Sequence, residues 1–362
     1  MSFVVIGYPG DRRVTLFADA CRAAGLAEPQ VIGWPDVLRG SFTLPAGVPV
    51  RIDSPGEDPE ADALLRGDVA PTRTGGGARW YEGFVAGLGR IADAARDADA
   101  PLLNDPDEIA VMFDKRLCHA RLSAAGVPVP PVLTGVDGYA ALRARMAEAN
   151  EHRVFVKPAH GSSASGVIAL EVAPGGTGDR IKAVTSAVRR ADGFHNSLRV
   201  RTYRTEEEVA ALVDALAPDG LHVERWMPKA ALDGRVLDLR VVVVGGVPTH
   251  AVVRTSTVPM TNLHLGGQRG DLGAVRAALG EDGWRKAMDV CARAAACFPR
   301  SLMVGVDLLL GIGWRRYAIG EVNAFGDLLP NLPGLPDGPA AGVDAYTAQV
   351  RAALSALSGS HA

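Results

Sequence analysis

Gly305-Val306-Asp307-Leu308 and, a short interval later, Gly320-Glu321-Val322-Asn323 read as two adjacent apolar strands carrying three oxygen-bearing side chains. Glu321 and Asn323 are separated by one residue, so a strand points both to one face and turns Val322 into the core. An Asp on one strand facing a Glu and an Asn on the next supplies part of the hard-oxygen shell that magnesium takes. Water and phosphate oxygens usually complete it. Asp307 and Glu321 read equally as the solvated face of a half-buried hairpin. The rest of the chain has to decide.

A chain of 362 residues exceeds one small core and suggests roughly two to three lobes. Hydrophobic residues at 48 % and charged residues at 22 % give the balance of a globular protein. No apolar run approaches the length of about 20 residues that a spanning helix needs. Met1-Ser2-Phe3-Val4-Val5-Ile6-Gly7 lacks a basic region and reads as a first buried strand, not a signal peptide. Net charge is −3, which argues against bulk binding to nucleic acid or membrane. Cys21, Cys118, Cys291 and Cys297 form no C-x-x-C pair, so reduced, mostly buried thiols in a cytoplasmic protein are expected.

The first hundred residues alternate apolar runs (Phe3–Ile6, Gln30–Trp34, Val48–Ile52) with helical patterns (Val14–Gly25, Tyr81–Ala98), which predicts a parallel α/β lobe. The first strand exits through Gly7-Tyr8-Pro9-Gly10-Asp11, which is not a G-x-G-x-x-G fingerprint, and a Rossmann dehydrogenase is disfavoured. No G-x-x-x-x-G-K-[ST] occurs, which removes the P-loop class. One helix is expected over Asp105–Ala125, capped by Asn104 or Asp105 and stopped by Gly126 and the following prolines. A second lobe then holds strands at Arg153–Lys157, Gly166–Leu170, Leu198–Tyr203 and Leu221–Trp226 and a helix at Thr205–Leu216. Ala173–Gly178 and Asp192–Ser197 read as polar surface connections. A third lobe begins near Pro228 with strands Val236–Val244 and Val247–Thr255 joined by Gly245-Gly246. A helix at Ala274–Phe298 and the two strands quoted first follow.

Lys157 ends an apolar strand and precedes His160-Gly161-Ser162-Ser163-Ala164-Ser165-Gly166. Such a loop can wrap backbone N–H groups and hydroxyls around a phosphate while the lysine adds a point charge; it reads equally as a flexible hairpin tip. Lys115, in Asp114-Lys115-Arg116, is by itself an ordinary helix lysine. Leu221-His222-Val223-Glu224-Arg225-Trp226-Met227-Pro228 runs from a strand into a hinge, where Glu224 can accept from an adenine amino group or sit on an exposed strand edge. Asp238 and Arg240 share a strand face, and Arg254 closes the partner strand. Arginines aimed into a cleft suit phosphoryl and acyl-phosphate oxygens; a surface ion-pair ladder is the plainer alternative. Asn262-Leu263-His264-Leu265-Gly266-Gly267 places an Asn beside glycines that permit close approach.

In this order the motifs resemble the ATP-grasp superfamily of carboxylate–amine ligases, with a layout similar to ribosomal-protein glutamate ligases, glutathione synthetases and D-alanine–D-alanine ligases. The resemblance covers about Asn104 to Asn323. It implies an α/β ATP-grasp fold with a parallel N-terminal α/β domain (1–104), a lid with its linker helix (105–227) and a C-terminal catalytic lobe (228–362). It further implies that Lys115, Lys157, Ser162 and Ser163 contact ATP phosphates, that Glu224 and the backbone of Arg225, Trp226 and Met227 hold adenine, and that Asp238 and Asn262 border the nucleotide. Asp307, Glu321 and Asn323 would bind magnesium, with manganese as an alternative ion. Arg240 and Arg254 would act on the reacting phosphoryl and acyl groups.

The activity implied is ATP-dependent joining of a carboxylate to an amine, through an acyl phosphate, on a small molecule, amino acid or peptide. No nucleic-acid or membrane partner is expected, and a homodimer is left open. A small-molecule kinase and a non-catalytic ATP-binding protein are the alternatives. Two departures stand out: Ala324-Phe325-Gly326-Asp327 follows the Asn where the family often has a Pro, and Met260 and Leu265 replace arginines of the glutamate-ligase form.

Overall fold

The computed structural model describes residues 1–56, 58–67, 69, 73–161, 164–175, 179–325 and 332–359. Alternation of short apolar runs with helices builds the first lobe. β1 (Val4–Ile6), α1 (Arg12–Ala23), β2 (Gln30–Ile32), α2 (Trp34–Arg39), β3 (Val50–Ile52), α3 (Pro59–Arg66) and α4 (Gly77–Asp97) follow in order. The strands pair in parallel as β2-β1-β3, as the pattern predicts. Gln30–Trp34 was expected to stay extended; instead Trp34 opens a helix, because Pro35 suits a first helical turn. The indole is fully buried and donates to the Asp53 carbonyl (2.8 Å).

The single helix expected over Asp105–Ala125 is two helices. α5 (Pro106–Phe113) and α6 (Lys115–Ala124) break at Asp114, whose extended backbone (φ −95°, ψ 109°) ends one and caps the other. Its carboxylate accepts from the Arg116 and Leu117 amides (2.8 and 3.4 Å), which favours a new N-terminus over continuation. Ile109, Met112, Cys118 and Leu122 of these helices pack in the core shared by the first sheet and the C-terminal sheet.

The next lobe has its own core. β4 (Val132–Leu133), α7 (Tyr139–Glu148), β5 (Arg153–Pro158), β6 (Ile168–Ala173), β7 (Arg180–Arg190), β8 (Gly193–Tyr203), α8 (Glu206–Leu216) and β9 (Leu221–Arg225) make a six-stranded antiparallel sheet, ordered β4-β9-β5-β6-β7-β8. Leu142 and Met146 of α7 and Val209 and Leu212 of α8 bury against it. Asp192–Ser197, expected as a loose connection, instead turns into β8, with Arg190 opposite Gly193 and Ala187 opposite Asn196. Ladder hydrogen bonds decide here over side-chain polarity.

β10 (Ala231–Leu232), β11 (Arg235–Val244), β12 (Val247–Ser256), β13 (Gln268–Arg269), α9 (Leu272–Ala296), β14 (Met303–Leu310), β15 (Tyr317–Asn323) and α10 (Ala345–Gly359) complete the chain. The sheet runs β13-β12-β11-β14-β15, with β10 also on β11. Gly245 and Gly246 both have positive φ (57° and 79°), the geometry of a tight hairpin turn. α10 returns to the first lobe, where Tyr346 and Val350 pack with Phe3 and Phe17. Cys21, Cys118 and Cys291 are free and buried, and burial pushes the Cys21 and Cys118 thiols up to about 11 and 12. Among the described residues no helix is long and apolar enough to cross a membrane.

Leu239 sits at the centre of β11 between Val253 and Leu308, all three essentially without exposure. Leu239→Ala is expected to lower stability by about 2–5 kcal/mol in urea unfolding, and a loss below about 1 kcal/mol would contradict its central place in the core.

Candidate active site

Strand register creates the electrostatic problem from which the site is built. Arg240 on β11 lies opposite Asp307 on β14, and Asp307 lies opposite Glu321 on β15. Like charges directly opposite each other repel, and both carboxylates are only half-buried, on the wall of a cleft. Burial, with Glu321 and Asp238 nearby, pushes the Asp307 carboxyl above its ordinary value despite Arg240 and Arg254. Burial also opposes ionisation of Glu321, but Lys115 and Lys157 outweigh it and hold this carboxyl low. Asn323 donates its Nδ2 to the Gly305 carbonyl (3.3 Å), which leaves its side-chain oxygen for other partners. Two acidic groups and an amide oxygen, one of the acids held uncomfortably, fit a small divalent cation with hard-oxygen preference.

The arginines are set by the same ladder. Asp238 pairs with Arg254 across β11 and β12, and Arg254 Nε reaches Asp238 Oδ1 at 2.8 Å. Arg240 Nε and Arg254 Nη2 approach Asp307 Oδ1 at 2.7 and 3.2 Å. Both arginines are buried, so the surface-ladder reading is excluded.

Two lysines arrive from other elements. Lys115 opens α6, where its amide donates to the Ala159 carbonyl (3.0 Å). Its Nζ reaches the Gly161 carbonyl at 2.6 Å and Glu321 Oε1 at 3.0 Å. Lys157 ends β5 with Nζ 2.5 Å from Glu224 Oε1. Burial lowers the Lys157 pKa, but Glu224, Glu321 and Asp307 raise it more, so the ammonium persists. Burial raises the Glu224 carboxyl, and Lys157 and His222 (3.3 Å) bring it down to about 2. Glu224 is 3 % exposed and lies between β4 and β5, not on a strand edge.

Lys115, Lys157, Asp307, Glu321 and Asn323 therefore line one cleft of about 860 Å³. Met227, Asp238 and Asn262 line it too. Arg225 and Trp226 are not brought to this lining. The Arg225 side chain pairs with Glu151 while its amide donates to the Pro131 carbonyl (2.8 Å). The Trp226 amide donates to the Arg153 carbonyl (3.1 Å), and its ring packs on Phe155. Asp238 is spent on Arg254, Lys229 and Thr261, and Asn262 caps the turn Leu263–Leu265 by accepting from the His264 amide (2.8 Å). Ser162 and Ser163 lie outside the described residues.

Sequence reasoning missed four contributions. Lys229, 8 % exposed in its side chain, is a third lysine in the cleft wall, 3.0 Å from Thr261 Oγ1. Its one advance signal is a lone cation in Pro228-Lys229-Ala230-Ala231. Asn196 and Leu198 reach the cleft from β8. Arg12 and Arg13 reach it from the first lobe. His160 bonds Asp114 (2.9 Å) and stacks on Tyr81 (4.1 Å), fixing the exit of β5 to the first lobe and the start of α6. Met260 and Leu265 have a packing role: with Val167, Ala169 and Val184 they form an apolar seam between the loop after β12 and the sheet of β4–β9.

Two antiparallel sheets border this cleft, and the same arrangement is found in solved structures. A D-cycloserine synthetase, DcsG, superposes with a TM-score of 0.59 at 19 % identity over 99 % of this chain and 100 % of that one. The ATP-grasp ligase PsnB, solved with a minimal precursor, gives 0.55 at 18 % over 98 % and 99 %. The macrocyclase MdnC from Microcystis aeruginosa MRC, bound to precursor peptide MdnA, gives 0.54 at 15 % over 98 % and 99 %. No protein-family model and no curated protein sequence matches the chain. The chain has the ATP-grasp fold.

Glu224 supplies a pH test. A carboxyl depressed on folding stabilises the folded state above its unfolded value near 4.5, and that contribution is lost as pH falls through about 2. Glu224→Gln should flatten the loss of stability across this window and destabilise the nucleotide-free protein near neutrality, because Lys157 loses its closest counter-charge. Chemical unfolding from pH 2 to 7 reads both; identical curves for the two proteins would refute the pairing.

Proposed function

We propose that this protein is an ATP- and magnesium-dependent ligase that activates a carboxylate and joins it to an amine, releasing ADP and phosphate. One observation carries the reading: two ammonium groups from separate elements and three oxygen donors from adjacent strands border one cleft. DcsG and PsnB share the fold over nearly the whole chain, and PsnB has been solved with a phosphomimetic precursor, Mg and ADP. In this reading residues 105–227 form the closing lid with its linker, and 228–362 carry the catalytic sheet.

Asp307, Glu321 and Asn323 would hold magnesium, or manganese in its place, and the bound ion would draw charge from the phosphate oxygens. A substrate carboxylate is ionised at neutral pH and needs no base to attack the γ-phosphorus. The obstacle is anion approaching anion. Lys115 and Lys157 neutralise phosphate oxygens, while Arg240 and Arg254, fixed by Asp238 and Asp307, face the transferring group without reorganising. The new bond joins a carboxylate oxygen to phosphorus as the bond to the ADP oxygen breaks. The amine then attacks the acyl carbon, phosphate departs with the bonding pair, and the amine proton goes to solvent or phosphate. Water must be kept out meanwhile. The apolar seam of Met260 and Leu265 against Val167, Ala169 and Val184 closes the lid side for that purpose. Phe155 and Met227 give the adenine an apolar wall beside Glu224.

Glu321→Gln should reduce ADP release by at least about a hundredfold while leaving circular dichroism and folding intact. Undiminished ADP formation would defeat the assignment. An ADP-release screen over amino acids and peptides, with mass spectrometry of products, should show turnover only when carboxylate and amine are both supplied. A stable phosphorylated product without any amine would select a kinase instead.

A further inference from the structure

Helix α4 begins without a cap of its own. Its N-cap is Gly76, in a left-handed conformation (φ 85°), and its first turn holds no acidic residue. The cap comes from another lobe. Asp219 ends the short 3₁₀ turn Ala217–Asp219 between α8 and β9 and accepts from the Gly76 amide (2.6 Å) and the Ala78 amide (3.3 Å). A carboxylate at a helix amino end satisfies free N–H groups and opposes the partial positive charge there. Asp219 forms no ion pair among the described residues, so its charge is committed to this helix.

Further contacts join the same stretch to the same lobe. The Thr74 amide and hydroxyl both donate to the Phe194 carbonyl (3.1 Å each), and Arg73 donates to the Asp192 carbonyl at the β8 hairpin. Tyr81 stacks on His160 at 4.1 Å. Gly77 permits this approach: a Cβ there would stand 2.8 Å from the His160 carbonyl oxygen, and the two backbones would have to part. The β4–β9 lobe has a core of its own, whereas the first and C-terminal sheets share one. An apolar seam at Met260 and Leu265 ties that lobe to the C-terminal side, and residues 73–81 tie it to the first lobe.

The second tie leads to the lysines. The carbonyl of Gly220, next to Asp219, accepts from the Ala159 amide (3.0 Å), and the Ala159 carbonyl accepts from the Lys115 amide (3.0 Å). Ala159 directly follows β5, the strand that carries Lys157.

We propose that Asp219 is a latch between lobes. By capping α4 it seats the β4–β9 lobe on the first lobe, keeps the contact between Ala159 and Lys115, and slows the departure of nucleotide from the cleft. It acts through Lys115 and the β5 exit, so it is a positioning residue. The effect on nucleotide rests on the ligase reading; the latch itself is testable in the nucleotide-free protein.

Two variants of the full chain separate a latch from stability in general. Asp219→Ala removes the cap. Gly77→Ala removes nothing, and alanine suits a helix better than glycine, but its Cβ wedges the lobes apart. In nucleotide-free protein, hydrogen–deuterium exchange read at single amides should rise by about tenfold or more at Gly76 and Ala78 and equally at Ala159 and Lys115, in both variants. A rise confined to Gly76 and Ala78 is the loss of an ordinary cap and overturns the latch. Stopped-flow release of a fluorescent ADP in the presence of magnesium should be faster by about tenfold or more in both variants, with no lowering of the melting temperature of nucleotide-free Gly77→Ala. Release at the wild-type rate overturns the effect on nucleotide. Faster release from Asp219→Ala alone is the mark of general weakening and overturns the proposal as well. A wild type that binds no Mg·ADP overturns the ligase reading, and exchange then decides the latch by itself. If Asp219→Ala fails to fold, Gly77→Ala carries both readouts.

Discussion

The repulsion between Asp307 and Glu321, fixed opposite each other on buried strands, is the constraint to which the site answers. Both carboxylates face the cleft while the opposite face of β14 and β15 packs on α9 and the shared core, so the strand register keeps them side by side. Arg240 and Arg254 compensate on one flank, and Lys115 and Lys157 on the other. Even so, burial leaves Asp307 with a raised pKa. In the proposed reading, a bound cation would relieve this repulsion.

The same charges tie the lobes together. Lys115 bridges α6 to β15 through Glu321 and to the β5 exit through Gly161, while His160 joins that exit to Asp114 and Tyr81. Both lysines therefore depend on how the β5 exit is seated against α6 and β15. Asp114 is central to this coupling, since it breaks the linker into two helices and thereby sets the direction of Lys115. Met260 and Leu265 add an apolar contact on the opposite side of the cleft. Met260 and Leu265, where the glutamate-ligase form would carry arginines, are buried in packing against Val167, Ala169 and Val184.

Much of the fold was legible because its signals are local. Apolar alternation gives β11 and β12, the paired glycines give their turn, and separation by one residue puts Glu321 beside Asn323. The break at Asp114 was not legible, because a capping aspartate within a helical pattern looks like any polar helix residue until its backbone is seen. Gly193 and Asn196 read as loop for a similar reason: pairing with β7 outweighs their low strand propensity. In the site, lysines and acids announced themselves by order along the chain. Lys229, Arg13 and Asn196 did not, since each depends on contacts between segments distant in sequence.

In the proposed reading this cleft binds a nucleotide and a divalent cation as one unit. Calorimetric titration of ADP, with and without magnesium, addresses it directly. Affinity should strengthen by at least about tenfold when magnesium is present. Equal affinity in both conditions, or no detectable binding in either, would contradict the claim.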